Sequence, residues 1–445
     1  MARVTVVGGG LSGSEAAYQL AERGHEVDLY EMRPVRETPA HHTDLLGEVV
    51  CTNSFKSVDP TNAHGLLKTE MCAFGSILLR VAEEVRVPGG TALVVDRLEF
   101  ARRMTEVIAG HPRIRIVREE ITDLPTGPAI IATGPLTSDA LSQSIRNALG
   151  EDGLAFFDAI APIVSDDSLN HDVVFAASRW GKGDGDDYLN APMTREQYDA
   201  FIAALRGAES HDGHDWDAVP YFEGCLPIEV MAARGEETLR FGPMKPVGLP
   251  VPYWDGRRAH AVVQLRREDR AGQMWNLVGF QTRLKIGEQA RVFRMIPGLA
   301  DVEFLRWGSI HRNTYLNFPA SLSAHGGLPS RPDLIFAGQL TGVEGYTEST
   351  AIGIVAAANL DRIVRGLDPV VPPATTMIGG LMRYLRTADP KHFQPMNSNF
   401  GLLDPMEERI RDKQAKREAL STRGRHDFAK WMEQNDLSVV GAGTA

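Results

Sequence analysis

The first thirty residues place one amphipathic segment between two short apolar runs. Residues 4 to 7 form a β-branched run typical of a buried parallel strand, and the segment HEVDLYE, closed by Glu31, predicts a second strand. Between them, apolar residues recur at helical spacing from Leu11 to Leu20 and stop near Gly24. The pattern predicts a strand, a helix and a second strand, which is the opening of a parallel α/β sheet.

A glycine motif joins the first predicted strand to the helix. Gly8, Gly10 and Gly13 have G-x-G-x-x-G spacing, which permits a tight turn, close approach of a pyrophosphate and close helix packing. The helix N-terminus offers N–H groups to the anion, and Glu31, 23 residues beyond Gly8, is placed for the ribose hydroxyls. The cofactor-binding residues predicted in this motif and in the later glycine turns are Gly8, Gly9, Gly10, Leu11, Ser12, Gly13, Glu31, Gly134, Gly338 and Gln339.

Two later segments return to the same pattern. Residues 128 to 138, PAIIATGPLTS, predict a strand that ends in Ala-Thr-Gly, and residues 333 to 360 predict a strand, a glycine-rich turn and a small-residue helix. This late return resembles FAD proteins with a two-dinucleotide-binding architecture. We expect an α/β protein: a Rossmann-like FAD-binding domain with a doubly wound parallel sheet and an inserted α+β domain.

The expected boundaries follow from these segments. The FAD-binding domain takes residues 1–150 and 310–375, the insertion takes 151–309, and a C-terminal helical segment takes 376–445. Within the insertion, a loop rich in glycine and aspartate precedes a helix that begins near Thr194.

Three cysteines differ in their local patterns. Apolar spacing predicts one long helix over residues 61–84, and Cys72 lies beside its apolar stripe as a packing residue. Cys51 and Cys225 lie outside any helical or strand period, in loops, where reactive groups concentrate. On a flavin protein, two loop thiols indicate either a redox pair or a pair of covalent catalysts.

Composition narrows the class of protein. The 445 residues, 43% hydrophobic and 24% charged, are ordinary for a soluble protein of two or three domains. Scattered cysteines give neither a disulfide framework nor a zinc pattern, so we expect a reducing compartment and no metal. The start, MARVTVVGGG, has no signal-peptide run, and no stretch approaches the roughly 18 apolar residues of a membrane span. We expect a cytoplasmic protein without a membrane partner.

Ordered motifs along the chain extend these expectations. They are VVGGGLSGSEAA, EMRP, TPAHHTDLLGEVVCTNSFKS, NAHGLLKTEM, FEGCLPIEVMA, FGPMKPVGL, NLVGFQT and FAGQLTGVEGYTES. The series resembles the folate- and FAD-dependent tRNA (uracil-54-C5)-methyltransferases up to about residue 400. Related, longer tRNA wobble-uridine modification proteins carry a large extra C-terminal region, for which 445 residues leave no room. CTNSFKS departs from the Cys-Ser-Asn-Ser form typical of the family but keeps the thiol and Asn53.

The resemblance implies a reaction. The methylene carbon of 5,10-methylenetetrahydrofolate would pass to C5 of uridine 54 in the tRNA T-loop, with reduced FAD as reductant and NAD(P)H to regenerate it. Uracil C5 becomes nucleophilic once a thiolate adds to C6, and a base must later remove the C5 proton. Cys51 is assigned as nucleophile and Cys225 as general base, and the exchanged assignment stays open.

Other functions stay open on sequence alone. One is a flavin oxidoreductase with a Cys51–Cys225 redox disulfide, although such dithiols usually sit close in sequence and these are 174 residues apart. A non-enzymatic RNA-binding flavoprotein and a uracil methyltransferase acting on ribosomal RNA are the others. The net charge of −11 argues against a broad nucleic-acid face. Local basic clusters at 264–270 and 406–430 are interpreted either as solvated faces or as RNA contacts.

Overall fold

The described part of the chain covers most of the sequence. The computed structural model describes residues 1–437 except 150–153, 183–185, 211–225, 256, 268–271, 273, 389, 391–392, 394 and 409; over 154–160 and 309–314 only the backbone is described. Cys225, one of the two predicted catalytic residues, therefore lies outside the described residues.

The strands and helices of the described residues are numbered in chain order. The strands are β1 Arg3–Val7, β2 Glu26–Glu31, β3 Ser54–Ser57, β4 Arg86–Val87, β5 Ala92–Val95, β6 Ile114–Arg118, β7 Ala129–Ile131, β8 Leu154–Ile160, β9 Ile163–Ser165, β10 Phe175–Ala176, β11 Tyr188–Met193, β12 Ala261–Arg267, β13 Met274–Leu277, β14 Phe304–Arg306, β15 Ser309–Tyr315, β16 Gly327–Leu328 and β17 Arg331–Phe336. The helices are α1 Leu11–Glu22, α2 Ala63–Ala73, α3 Ile77–Glu84, α4 Arg97–Ala109, α5 Asp139–Leu149, α6 Arg195–Arg206, α7 Ile228–Ala233, α8 Thr238–Phe241, α9 Ile286–Phe293, α10 Phe318–Ser321, α11 Tyr346–Val364, α12 Met377–Thr387 and α13 Lys413–Gln434.

A six-stranded sheet organises the α/β part of the molecule. Its order is β16-β17-β7-β1-β2-β6, in which every neighbouring pair is parallel except β16 with β17. The five parallel strands have the order of the doubly wound nucleotide-binding fold, with the topological switch between β1 and β7. The predicted fold class is confirmed.

Helices cover both faces of this sheet. Apolar residues of α1 and α11 join the largest hydrophobic core with β1 and β2. On the opposite face, Leu141 and Ile145 of α5 pack in a second core with Val7 and Ile131. Because both faces are buried, the strands need the continuous apolar runs seen in the sequence.

A second six-stranded sheet is antiparallel throughout. Its order is β10-β11-β12-β13-β9-β14, and it has its own core with α6, α7 and α9. The predicted helix near Thr194 is α6, whose N-terminus has a capping box between Thr194 and Gln197. The strands β8 and β15 form a separate antiparallel pair. In the sequence, β8 precedes the strands of this sheet and β15 follows them. The exact domain boundaries stay a prediction.

The single helix predicted over residues 61–84 is wrong, because the structure has two helices there. Gly75 has a φ of +71° and ends the first helical path after α2. The carboxylate of Glu15 then accepts hydrogen bonds from the Ser76 hydroxyl (2.8 Å) and the Leu78 N–H (2.9 Å), which starts α3 on a new axis. Cys72 is also exposed, so its predicted packing role is wrong.

Among the described helices, none combines the length and the apolar character that a bilayer-spanning segment requires.

Candidate functional site

The glycine turn after β1 is shaped by close backbone contacts. Gly8 has a φ of +105° and donates its N–H to the Tyr30 carbonyl at 2.8 Å. A Cβ on Gly8 would lie 2.6 Å from the Ala132 carbonyl oxygen, and a Cβ on Gly13 would lie 1.8 Å from the Gly8 oxygen. The first and third glycines are therefore required by the turn and by the packing of α1 on β1.

Glu31 closes the other side of this turn. Its Oε2 accepts the Gly9 N–H at 2.9 Å, and its Oε1 accepts the backbone N–H and Nε of Arg33 at 3.0 and 2.9 Å. Burial opposes ionisation, but the Arg33 charge and these hydrogen bonds together hold the pKa of Glu31 below its ordinary value. The carboxylate is thus ionised and fixed at the end of β2, where a ribose acid is expected.

The N-terminus of α1 is open toward the cleft. No atom lies within 4 Å of a Cβ built on Gly10, which is the N-cap of α1 and has no side-chain cap. The Ser12 Oγ is buried and has no hydrogen-bond partner among the described residues. Unpaired donors beside open space at a helix N-terminus fit a pyrophosphate, so the observed cradle suits a dinucleotide.

These features belong to one large cleft at the carboxyl ends of β1, β2 and β7. Its empty volume is about 1260 Å³, which includes the space at its open mouth. The predicted residues that line it are Gly8, Gly10, Leu11, Ser12, Glu31, Cys51, Gly134 and Gln339. Three predicted residues are absent from the lining: Gly9, Gly13 and Gly338. Gly338 packs closely against a lining residue, since a Cβ on it would lie 2.8 Å from the Ser12 Cβ.

Cys51 lies on the wall of this cleft, in the loop that connects β2 to β3. It is half-buried, and its backbone N–H donates to the Tyr346 phenol oxygen at 2.7 Å. The Thr52 N–H donates to the same oxygen at 3.2 Å. Burial and the nearby Cys51 thiol raise the pKa of Tyr346 well above its usual range, so the phenol is neutral. Sequence reasoning missed Tyr346, although it stands in the quoted motif FAGQLTGVEGYTES.

Arg97 holds the same loop from the other side. Its Nη1 donates to the Val49 carbonyl at 2.6 Å and to the Val50 carbonyl at 2.9 Å. No periodicity identified Arg97, which opens α4 some 46 residues after the cysteine. Together, Arg97 and Tyr346 fix the backbone on both sides of Cys51.

A charged cluster surrounds Glu348, two residues after Tyr346. The fully buried Glu348 carboxylate accepts hydrogen bonds from the Ser398 hydroxyl at 2.6 Å and lies 3.6 Å from Lys56 and 3.5 Å from His64. Burial alone would raise the pKa of Glu348, yet the Lys56 charge and the hydrogen bonds from His64 and Ser398 hold it far below its usual range. This ionised group stabilises the first turn of α11, which carries Tyr346.

His41, for which no local pattern predicted a role, lies on the wall of the cleft. Its Nδ1 is 2.6 Å from the Thr38 hydroxyl. Burial and the nearby Arg33 charge lower the pKa of His41 to about 4, so the ring is neutral near pH 7. His42 is exposed.

Comparisons with known proteins identify the family. The model of a family described as glucose inhibited division protein A matches residues 3–368. The methylenetetrahydrofolate–tRNA-(uracil-5-)-methyltransferase TrmFO of Geobacter sulfurreducens is 53% identical over 430 residues, covering 96% of this chain and 98% of that protein. TrmFO of Halalkalibacterium halodurans is 50% identical, with 97% of this chain and 99% of that protein covered. The chain belongs to the TrmFO family.

Solved structures agree with this TrmFO-family assignment at the level of fold. GidA of Aquifex aeolicus superposes with a TM-score of 0.71 at 17% identity, covering 98% of this chain and 73% of GidA.

Within the TrmFO-family chain, the two basic clusters have different surroundings. Lys413 and Lys416 are exposed at the start of α13, whereas Arg266 is half-buried and bonded to the Cys51 loop. Arg266 is therefore not part of a freely solvated face.

Proposed function

We propose that this protein forms 5-methyluridine at position 54 of the tRNA T-loop, with 5,10-methylenetetrahydrofolate as carbon donor, FAD as redox cofactor and NAD(P)H as the source of reducing equivalents. The observation that carries the proposal is the position of Cys51 on the wall of the cleft that contains the dinucleotide cradle. The TrmFO relatives, 50 to 53% identical along nearly their whole length, support the same activity.

FAD would be held by the residues around the glycine turn. The N–H groups at the start of α1 and the Ser12 hydroxyl would meet the pyrophosphate, and Glu31 would accept the adenosine ribose hydroxyls. Gly134 and Gln339 also line the cleft and would contact the rest of the cofactor. When bound, the flavin supplies the electrons that the reduction of a methylene to a methyl group requires.

The protein's own part in the chemistry is to activate the base. Uracil must leave its stack to enter the cleft beside Cys51. Attack of the Cys51 thiolate on C6 makes C5 nucleophilic, and a second group must then take the C5 proton. We assign that second role to Cys225 on sequence grounds; the exchanged roles remain the alternative outcome of the test.

Nucleoside analysis tests this function directly. Purified protein is incubated with unmodified tRNA, labelled methylenetetrahydrofolate and NADPH, and labelled 5-methyluridine is expected at position 54 only. Cys51→Ala should give none, and Cys72→Ala, which changes an exposed thiol, serves as the matched control. Label in ribosomal RNA but not in tRNA would overturn the substrate assignment. A stable Cys51–Cys225 disulfide that forms as flavin is reduced, without any label transfer, would favour the oxidoreductase.

A further inference from the structure

Asn53 joins the Cys51 loop to two distant segments. It stands two residues after the cysteine and is fully buried. Its Nδ2 donates to the Val95 carbonyl at 3.0 Å and to the Arg267 carbonyl at 2.8 Å, while its Oδ1 accepts from Arg266 Nε at 3.1 Å. Both amide hydrogens and the amide oxygen of this buried side chain are therefore paired, and such networks specify geometry strongly.

Arg266 completes this connection from the antiparallel sheet. Its second guanidinium nitrogen donates to the Thr52 hydroxyl, so one arginine holds the two residues that follow Cys51. Arg266 belongs to β12 and is 213 residues from Asn53 in sequence. The side chain of its neighbour Arg267 lies over the Trp275 ring at 5.4 Å, on the opposite face of the strand.

The loop that follows β13 also contacts the described chain after residue 225. Leu226 is buried, and the Ile228 N–H at the start of α7 donates to the Gln281 carbonyl at 2.7 Å. The Glu229 carboxylate accepts from the Thr282 hydroxyl at 2.8 Å and from the Arg283 N–H at 2.9 Å. These partners follow β13, which pairs with β12 through Arg266 and Asn276.

We propose that Asn53 and Arg266 are positioning residues, which tie the Cys51 loop to the antiparallel sheet so that this sheet sets where Cys51 stands in the cleft. The inference rests on the proposed function. A thiolate that must reach C6 of the base has to be placed accurately, and displacement by about 1 Å can cost on the order of 100-fold in rate. A rigid sheet with a paired amide and guanidinium supplies that placement.

Arg266→Gln compared with Arg267→Gln isolates this role. Both variants remove one positive charge from the same strand, but only the first removes the contacts to Thr52 and Asn53. We expect Arg266→Gln to lower kcat by roughly 10- to 100-fold, with FAD content and KM for tRNA matching those of Arg267→Gln. The rate of Cys51 alkylation by iodoacetamide should also change at least about threefold in Arg266→Gln alone. Arg266→Lys should restore part of kcat, because an ammonium group can replace one of the two donors.

Asn53→Asp gives a second measurement at constant side-chain size. It puts a carboxylate oxygen against the Val95 and Arg267 carbonyls, so kcat should fall while Arg267→Gln retains it. Equal kcat and equal Cys51 alkylation in Arg266→Gln and Arg267→Gln would overturn the positioning role. If the wild-type protein forms no 5-methyluridine, the proposed function fails, and the alkylation rates alone then decide the positioning proposal.

Discussion

A Cβ on Gly13 would stand 1.8 Å from the carbonyl oxygen of Gly8, because α1 packs directly on the turn that ends β1. Gly10, three residues earlier, has no atom within 4 Å of the same construction. Two glycines of one motif therefore serve different partners. Gly13 makes room for the protein itself, and Gly10 leaves room for a ligand.

Alanine substitutions should separate these two roles. Gly10→Ala should leave the thermal unfolding of the FAD-free protein within about 0.5 kcal/mol of wild type, since a Cβ there meets only open space. It should nevertheless lower FAD occupancy, measured from flavin absorbance per chain. Gly13→Ala should destabilise the FAD-free protein by about 1–3 kcal/mol through overpacking. Full FAD occupancy in Gly10→Ala would contradict the assignment of the cradle.

Cys51 should form a covalent link to a base that cannot lose its C5 substituent. A 5-fluorouridine tRNA should stall on the wild-type protein as an RNA–protein adduct, which denaturing electrophoresis detects. Cys51→Ala should form neither adduct nor product while keeping FAD. Cys225→Ala should lose turnover but still trap the adduct, because proton removal follows thiolate attack. Peptide mapping of the adduct to Cys225 would instead exchange the two roles.

Tyr346→Phe should loosen the Cys51 loop. The change removes the oxygen that accepts the N–H groups of Cys51 and Thr52, and it keeps the ring that packs 5.9 Å from Phe55. Two unpaired donors should cost about 1–3 kcal/mol of unfolding free energy and change the rate at which iodoacetamide alkylates Cys51. Unchanged stability and an unchanged alkylation rate would show that this oxygen does not hold the loop.

Glu70 should make stability depend on pH near neutrality. Burial raises the pKa of Glu70 to about 8, although its oxygens accept the Met377 and Ile378 N–H groups at 2.7 and 2.8 Å. Between the ordinary carboxyl value and pH 8, the folded state binds more protons than the unfolded state. Stability from this group is therefore complete at low pH and is lost as the pH rises through 8.

Chemical denaturation at several pH values measures this effect. Between pH 5.5 and 8, wild type should lose up to about 1.4 kcal/mol per pH unit more than Glu70→Gln, which cannot titrate. Glu433→Gln, an exposed change on α13, should keep the wild-type slope. Parallel slopes for wild type and Glu70→Gln would contradict the raised pKa.

The exposed start of α13 should contribute to tRNA binding if the 406–430 cluster contacts RNA. Lys413→Glu combined with Lys416→Glu should weaken binding and reduce the slope of log Kd against log salt by about one to two, leaving flavin content unchanged. Arg80→Glu combined with Arg195→Glu carries the same charge change at exposed positions outside both basic clusters and is the control. Equal effects of the two pairs would show that the start of α13 is a solvated face and not an RNA contact. Arg409, in the same cluster, lies outside the described residues.

The sequence by itself determined the strand–glycine–helix–strand unit and the α/β class. These features depend on residues close together in sequence: the apolar period, the glycine that permits the positive φ at position 8, and the acid at the end of β2. Gly75 and Ser76 are also a local sequence signal for the break between α2 and α3. The apolar period runs through these residues, however, and Glu15, which starts α3, comes from another helix.

The tertiary structure alone decided what surrounds Cys51. Tyr346 is 295 residues from the cysteine it holds, Arg266 is 213 residues from Asn53, and Arg97 approaches from a separate helix. Local patterns carry no information on which distant donor will meet a given acceptor. That pairing follows from how the two sheets pack, because buried polar groups must find partners wherever the fold places them. The local pattern therefore indicates a thiol in a loop, and the fold determines which groups hold it.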